Sequence, residues 1–141
     1  NKSYDLDDNI CVHGLDLEKK YYLRRFKKPL DQGYINKRIS IDESKFNILL
    51  AHSPLFVKDY ADSHVDLALA GHFHGGTIRL PGGIGVMTPQ FHFFNRLVVG
   101  MKKVGNMVQI IGAGLGTHSI NIRLNDMSEL IVINLKCRNK A

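Results

Sequence analysis

Two short, mostly apolar runs that each end at a histidine constrain the fold of this chain most strongly. Phe46–Ala51 leads directly into His52, and Val65–Ala70 leads through a single glycine into His72. Apolar runs of this length, bounded by glycine, proline or polar residues, are typical of buried strands. Because sites in open α/β sheets form at the carboxyl ends of strands, both histidines are expected at such an edge.

The segment between the two runs predicts a short helix. Ser53 is a favoured N-cap residue and Pro54 suits the first helical position, which places the helix over residues 54–62. Together these elements indicate an α/β fold of the mixed α+β kind. The rest of the chain is strand-rich, and we expect further strands over 9–15, 77–80, 97–104, 107–111, 120–124 and, buried, 130–135, with a hairpin turn at 105–106.

Four other segments have patterns of their own. Residues 16–28 have helical spacing, with Asp16 as a cap and Pro29 as the stop. Residues 81–85 are expected to form a turn, and 86–96 a loop over one side of the cleft. The phenylalanines of that loop, for which core packing is favoured over lining a pocket or touching a membrane, are Phe91, Phe93 and Phe94. The glycine-rich residues 112–116 are expected to pass close to the same cleft.

His72 and His74 are separated by one residue at the end of the second run. In extended backbone, side chains at i and i+2 project to the same face, so both histidines would point into a cleft and Phe73 into the core. Two imidazoles on one side of a strand end can bind one metal ion or serve two ions roughly 3.5–4 Å apart. A pair of ordinary surface histidines at a turn would have the same spacing.

Composition bounds the chain without assigning a function. Its 141 residues suffice for one domain with a sizeable core, and its net charge is +6. Basic residues cluster at 19–20, 24–28 and 37–38; such a surface attracts phosphate, nucleic acid or an anionic membrane, or is simply solvated. No stretch reaches the roughly 18 apolar residues of a membrane helix. Cys11 and Cys137 lie near opposite ends, so reduced structural thiols are favoured over a bridge between them.

Several of these segments resemble motifs of the calcineurin-like metallophosphoesterase family, in particular its bacterial branch with a Gly-His-Thr-His-Gly-Gly-Gln motif. The matching segments are Gly71 to Thr77 with Ile78 to Pro81 behind it, Leu50 to Pro54, which resembles the preceding histidine motif, and Gly112 to Thr117, which resembles a Gly-Leu-Gly segment. The resemblance covers about residues 9–135. Phe73 and Thr77 depart from the pattern, and because neither position is a ligand in the family, they bear on the substrate pocket.

The resemblance implies a phosphohydrolase with two divalent metal ions. The ions would bind phosphoryl oxygens, lower the pKa of a bridging water and stabilise the leaving oxygen. By the family pattern, His52 and His72 would bind one ion and His74 the other, and imidazole with carboxylate suits manganese, iron or zinc. The expected substrates are phosphomonoesters, phosphodiesters or pyrophosphates of nucleotides, sugars or lipids, with a lipid-linked pyrophosphate favoured.

The family's earlier motifs, Asp-x-His, Gly-Asp-x-x-Asp and Gly-Asn-His-Glu/Asp, are expected upstream of Asn1. Residues 1–141 would then be the C-terminal portion of one phosphoesterase domain, a four-layer αββα sandwich, with the other ligands and the histidine proton donor in the N-terminal half. Alone, this portion should bind metal weakly and lack activity. It should associate with that half or with itself, because a sheet without its partner exposes apolar surface. The compartment stays open between the cytoplasm and the surface of the cytoplasmic membrane.

Two other functions remain open from the sequence. The basic clusters are compatible with a binding module for nucleic acid or an anionic surface, although they lack regular aromatic interleaving. A catalytically inactive relative that keeps the fold would have the same motifs. His13 is expected to be structural, and His64, His92 and His118 receive no role.

Overall fold

The structure is a computed structural model that describes residues 1–22, 29–74, 78–80, 82, 84–87, 93–95, 98–116 and 123–136. These residues contain nine strands, one α-helix and two short 3-10 helices. The strands are β1 (Lys2–Asp5), β2 (Ile10–Leu15), β3 (Phe46–Ala51), β4 (Leu67–Ala70), β5 (Arg79–Leu80), β6 (Ile84–Met87), β7 (Phe93–Asn95), β8 (Gly100–Val104) and β9 (Met107–Ile111). The 3-10 helices are Lys19–Tyr22 and Pro54–Phe56, and α1 is Val57–Asp62.

A six-stranded sheet is the centre of the fold, with strand order β1-β2-β3-β4-β9-β8. Each adjacent pair among β2, β3, β4 and β9 is parallel, and the two edge strands, β1 and β8, are antiparallel to their neighbours. Parallel strands in the middle of a sheet are apolar along their length because both of their faces are buried or partly covered. The mixed α/β, strand-rich fold predicted from the sequence is confirmed.

One face of this sheet is buried under α1 and under residues 17–22 and 30–41. Leu49 of β3 and Ala68 of β4 are register partners on this face, and both are fully buried. Tyr60 of α1 is also fully buried and donates a hydrogen bond from its hydroxyl to the carbonyl of Ser53 at 2.7 Å. The buried residues that form this core are Leu15, Leu17, Tyr21, Leu30, Tyr34, Ile35, Ile39, Leu49, Ala51, Phe56, Val57, Tyr60, Val65, Ala68 and Met107.

The opposite face of the sheet is apolar and partly exposed. Leu50 pairs in register with Leu69, Leu69 with Ile110, and Ile110 with Met101. Leu50 is exposed and Met101 is 77% exposed, while Leu69 and Ile110 are half-buried. The described residues therefore leave a row of large apolar side chains in contact with solvent.

The predicted helix over residues 54–62 is confirmed, although its first turn is tighter than an α-helix. Ser53 caps it by accepting a hydrogen bond from the amide of Leu55 at 3.4 Å. In the described part of residues 16–28, where a helix is predicted, the structure has only a short 3-10 turn. This turn begins at Lys19, and the amide of Asp16 instead donates to Asn1 Oδ1 at 2.8 Å. Residues 23–28 lie outside the described part of the chain. Among the described residues, no helix has the length and apolar character needed to cross a membrane.

The turn predicted over 81–85 is confirmed in part, because Gly82 lies in a turn and Leu80 pairs with Ile84, whereas the loop predicted over 86–96 contains strands. β6 begins at Ile84, inside the predicted turn 81–85, and β7 lies inside the predicted loop 86–96. With β5 they form a three-stranded antiparallel sheet whose register pairs Gly85 with Asn95 and Met87 with Phe93. The loop prediction was wrong because cross-strand pairing, which local sequence does not reveal, decides such short strands. Phe91 and His92 lie outside the described residues, as do the side chains of Phe93 and Phe94.

The hairpin predicted around residues 105–106 is confirmed, because β8 and β9 pair with Val104 opposite Met107. The buried strand predicted over 130–135 is wrong. Those residues have no strand conformation, and Leu130 and Val132 are 82% and 76% exposed. An apolar run becomes a strand only where a neighbouring strand pairs with its backbone groups. Of the strand predicted over 120–124, residues 120–122 lie outside the description and Leu124 forms an isolated bridge with Ile78.

Cys11 is a buried, free thiol on β2. Burial raises its pKa above the ordinary value for a thiol. Both features agree with the predicted reduced, structural cysteine. Cys137 lies outside the described residues.

Candidate metal centre

His52 and His72 meet at the carboxyl ends of β3 and β4. Their ring nitrogens, Nε2 of His52 and Nδ1 of His72, are 2.8 Å apart, and the ring centroids are separated by 4.6 Å. The two strands are parallel neighbours, so both end at the same edge of the sheet. The backbone closes the junction, because the amide of Gly71 donates to the carbonyl of His52 at 3.3 Å.

His74 points to a different neighbour from His72. The extended backbone ends at Ala70, and both histidines have positive φ angles, 68° for His72 and 44° for His74. The prediction that they project together from a strand is therefore wrong. A tight turn replaces the strand, with the amide of Phe73 bonded to the carbonyl of Gly71 at 2.9 Å. Phe73 itself is fully buried, as predicted.

The glycine-rich residues 112–116 pass beside His74. Nδ1 of His74 lies 3.2 Å from the carbonyl oxygen of Gly116. A Cβ atom on Gly116 would lie 3.8 Å from Cε1 of His74, and one on Gly71 would lie 3.9 Å from the carbonyl oxygen of Gly112. The predicted approach of this loop to the histidine cluster is confirmed.

Tyr22 also borders this cluster, although sequence reasoning did not select it. Its ring centroid lies 5.8 Å from that of His52 and 5.5 Å from that of His72. Burial raises the pKa of Tyr22, and the charge of Asp16 adds to the rise, so the phenol is neutral near pH 7. No spacing rule connects Tyr22 with histidines so far along the chain, and the sequence held no usable signal for it.

The surroundings of His52 favour its neutral imidazole form. Loss of water contacts lowers the pKa of His52, and the nearby charge of His74 lowers it further. A histidine binds metal through its unprotonated nitrogen, so a lowered pKa favours the ligand form near pH 7.

The donor pair fits part of a metal site. Two nitrogen ligands at about 2.0–2.1 Å from one ion lie about 3 Å apart at ordinary coordination angles, close to the spacing of His52 and His72. Across the described ranges, however, no three His, Cys, Asp or Glu side chains come together as a metal-binding group. An open groove of about 650 Å³ continues from His52 along the strand ends, past Leu15, Ala51 and Ala70.

The remaining histidines lie elsewhere or outside the described residues. His13 is fully buried, with Nε2 2.9 Å from Asn47 Oδ1 and Nδ1 2.8 Å from Ser3 Oγ, which confirms its structural role. His64 is exposed and lies 3.8 Å from Glu43. His92 and His118 lie outside the described residues.

The segment Asp62-Ser63-His64 has Asp-x-His spacing, a motif expected only upstream. It ends α1 just before β4, at the amino ends of the parallel strands. That edge is opposite to the one where His52 and His72 meet. This segment therefore does not complete the histidine cluster.

Comparison with known proteins supplies the family. The chain is 33% identical over 142 residues to an uncharacterized metallophosphoesterase of Helicobacter pylori strain J99, an alignment that covers 94% of this chain and 36% of that protein. The corresponding protein of strain 26695 is 34% identical with the same coverage. The uncharacterized metallophosphoesterase YkuE of Bacillus subtilis is 32% identical over 99 residues, 70% of this chain and 34% of the relative.

The chain spans about a third of the length of these curated relatives. No family model matches it. No solved structure matches it significantly. With nearly its whole length aligned to proteins of one name, the chain belongs to the metallophosphoesterase family that its histidine motifs predicted.

Proposed function

We propose that this chain is the C-terminal, histidine-bearing part of a binuclear metal-dependent phosphoesterase. One observation carries the proposal: His52 and His72 converge to 2.8 Å at the carboxyl ends of parallel strands. The convergence occurs in a chain whose relatives are named metallophosphoesterases. Carboxyl ends of parallel strands are where α/β folds place their sites.

In this proposal His52 and His72 bind one ion, and His74 binds the second. Imidazole ligands favour manganese, iron or zinc over magnesium or calcium. When bound, the two ions would neutralise phosphoryl oxygens and activate a water as the nucleophile. The contribution of this chain is to hold three imidazoles at the sheet edge, with Tyr22 packed against two of them.

The remaining ligands and the proton donor would come from an N-terminal half of the same domain. Support comes from the curated relatives, because the chain spans only about a third of their length. Two imidazoles hold a divalent ion weakly compared with the four or more ligands of a complete site. Residues 1–141 by themselves should therefore bind metal weakly and lack activity.

The partly exposed apolar sheet face supports the expected partners of this chain. Large side chains such as Leu50 and Met101 are left in solvent on that face. Packing against the N-terminal half, or against a second copy when that half is missing, would remove them from water. Size-exclusion chromatography of residues 1–141 should show self-association, and a well-behaved monomer would count against this expectation.

The substrate is proposed to be a phosphoester with an apolar group attached, such as a lipid-linked pyrophosphate. The groove beside His52 supports this choice, because the apolar residues Leu15, Ala51 and Ala70 contribute to its lining. Nucleotide and sugar phosphoesters are the competing substrates. Full-length protein should hydrolyse a lipid-linked pyrophosphate faster than a nucleotide sugar of equal charge, and the reverse order would exclude the lipid assignment.

The nucleic-acid alternative is not favoured. Lys20 and Arg38, one from each of two basic clusters, both pair with Glu18, at 3.1 Å and 2.6 Å. Paired charges contribute less to an extended basic surface. If such a module existed, its affinity would fall steeply with salt, because phosphate contacts release counterions.

The test uses the full-length protein with manganese. Hydrolysis of bis-p-nitrophenyl phosphate and p-nitrophenyl phosphate would be measured for the parent and for His52→Ala, His72→Ala and His74→Ala. His64→Ala is the matched control, since His64 is exposed at the other edge of the sheet. Activity lost in the three variants and kept in the control is the expected result. Activity that survives all three changes would refute the ligand assignment, and an inactive parent would favour a catalytically degenerate relative.

A further inference from the structure

Besides His74, three side chains in the described part of the chain hydrogen-bond to the glycine loop, defined as Gly112–Gly116, and one of them is Ser128, whose Oγ donates to the carbonyl of Leu115 at 3.4 Å. Nη2 of Arg123 donates to the carbonyl oxygens of Ala113 at 3.0 Å and Gly114 at 3.3 Å, and also to that of Gly116. Glu129 adds a two-way contact. Its carboxylate accepts from the amide of Ala113 at 2.7 Å, and its own amide donates to the carbonyl of Gly114 at 3.3 Å. The amide of Gly112 still pairs with the carbonyl of Ala70 in β4 at 3.0 Å, and the contacts from Arg123 and Glu129 hold the loop beyond it.

Arg123 is itself held in place. Its side chain is only 12% exposed, and its Nη1 lies 3.8 Å from the fully buried carboxylate of Asp126. Arg79 of β5 pairs with the same carboxylate. A guanidinium that is mostly buried and faces a shared carboxylate has few alternative orientations, so a single nitrogen, Nη2, is held against the loop carbonyls.

The loop contact determines how His74 presents its ring. The carbonyl oxygen of Gly116 can only accept, so the hydrogen bond to Nδ1 of His74 requires a proton on Nδ1. In a neutral imidazole the lone pair is then on Nε2, which makes Nε2 the nitrogen that can coordinate a metal ion. Backbone carbonyls that orient ligand histidines in this way contribute to metal affinity from outside the ligand set.

We propose that Arg123 is a positioning residue that fixes the Gly116 carbonyl against Nδ1 of His74 and so selects the tautomer that binds metal through Nε2. This inference rests on the proposed function, in which His74 is a ligand. Arg123 touches neither metal nor substrate in this role. Arg123 acts on His74 by holding the carbonyl oxygen of Gly116 in place. Glu129 supports the same loop by accepting a hydrogen bond from the amide of Ala113.

The test uses full-length protein and reads the His74 tautomer directly. Long-range ¹H–¹⁵N spectra of metal-free, histidine-labelled protein distinguish protonated from unprotonated ring nitrogens, and His74→Ala identifies the His74 signals. The parent should show a proton on Nδ1. Arg123→Ala should show a mixture of both tautomers. Arg123→Lys should lie between, because an ammonium can still donate to the loop carbonyls but lacks the second nitrogen that faces Asp126.

Arg38→Ala is the matched control. Arg38 is also a partly buried arginine, 27% exposed, that pairs with a carboxylate and donates to a backbone carbonyl, that of Tyr34 at 3.1 Å. It should leave the His74 signals unchanged. If Arg123→Ala fails to fold by circular dichroism, Arg123→Lys and Glu129→Gln give the same readout, and a parent-like tautomer in both would overturn the proposal.

Manganese affinity, measured by calorimetry on the same proteins, distinguishes the positioning role of Arg123 from the ligand role of His74. Arg123→Ala should bind about 10- to 100-fold more weakly than the parent, the usual cost of losing a group that orients a ligand. If His74→Ala loses metal and Arg123→Ala keeps both affinity and tautomer, the positioning role is refuted while the proposed function stands. If His74→Ala binds metal as the parent does, the proposed ligand set has failed instead.

Discussion

His52 and His72 place two ring nitrogens 2.8 Å apart although twenty positions separate the residues in the chain. If both nitrogens serve the same ion, losing either one should remove most of the binding. We therefore expect His52→Ala and His72→Ala to be strongly non-additive in the full-length protein. The double variant should bind manganese about as weakly as either single variant, measured by calorimetry. The losses of binding free energy are not additive when two side chains act on the same ion.

If His52 and His72 contributed independently to metal binding, the double variant would bind more weakly than either single variant. Additive losses in the double variant would show that the two histidines do not share an ion. His64→Ala again serves as the control, combined with each of the other changes, and it should add nothing.

Tyr22 should contribute to the centre through its ring and not its hydroxyl. The ring contacts both imidazoles, at centroid distances of 5.8 Å and 5.5 Å. Aromatic contacts of this kind contribute about 0.5–1.5 kcal/mol, so Tyr22→Ala should weaken manganese binding about 2- to 10-fold. Tyr22→Phe should bind like the parent, and so should Tyr4→Ala, which removes an exposed ring. A Tyr22→Phe variant as weak as Tyr22→Ala would assign the effect to the hydroxyl.

Asn47 should be one of the more costly side chains to truncate. It is fully buried, and its amide group contacts His13 Nε2 at 2.9 Å and the carbonyls of Asp42 and Lys45 at 2.9 Å and 2.8 Å. Asn47→Ala leaves those groups without their partner, which predicts a loss of about 2–4 kcal/mol in the free energy of unfolding by urea.

The exposed Asn36 provides the comparison for that experiment. Asn36→Ala should change the free energy of unfolding by less than about 0.5 kcal/mol. Equal losses for the two variants would show that the hydrogen bonds of Asn47 do not matter for stability.

Asp5 should give the stability a small dependence on acid pH. The hydrogen bond from Lys45, at 2.9 Å, is the largest cause that lowers the pKa of Asp5. A lowered pKa means that the folded state favours the carboxylate. The contribution is therefore present above the unfolded pKa of about 3.9 and is lost as the pH falls below it.

The variant Asp5→Asn tests this sign. It should be slightly less stable than the parent at pH 7 in thermal unfolding, and the difference should vanish as the pH approaches 3. In a Lys45→Met background, which lacks the hydrogen-bond donor to Asp5, the same change should show no such trend. A difference that grows as the pH falls would contradict the assignment.

Local patterns were sufficient for much of the fold. The apolar runs before His52 and Gly71, the cap at Ser53, and the turn at 105–106 each depend on neighbouring residues, and the structure has them as predicted. The pattern failed where pairing with a distant segment decides the outcome. β6 and β7 gained strand structure from each other, whereas 130–135 have a strand-like sequence and no strand in the structure.

The candidate site divides in the same way. The positions of His52, His72 and His74 were readable as residues that follow apolar strands, and the fully buried Phe73 was readable from its place between two of them. The directions of the histidine rings could not be predicted from the sequence. The φ angles of His72 and His74 are positive, so the extended geometry ends before them. Periodicity predicts which way a side chain points only while the backbone remains regular.

The sequence by itself determined the family, the α/β character and the histidines that follow the central strands, because these depend on residue type and spacing. Only the tertiary structure decided that His72 faces His52 and that His74 faces Gly116. It also decided that the ring of Tyr22 contacts His72 and that Arg123 bonds to the carbonyl of Gly116. Those contacts join segments far apart in the chain. Their geometry follows from the order of the strands in the sheet and the path of the connecting loops, which no local pattern encodes.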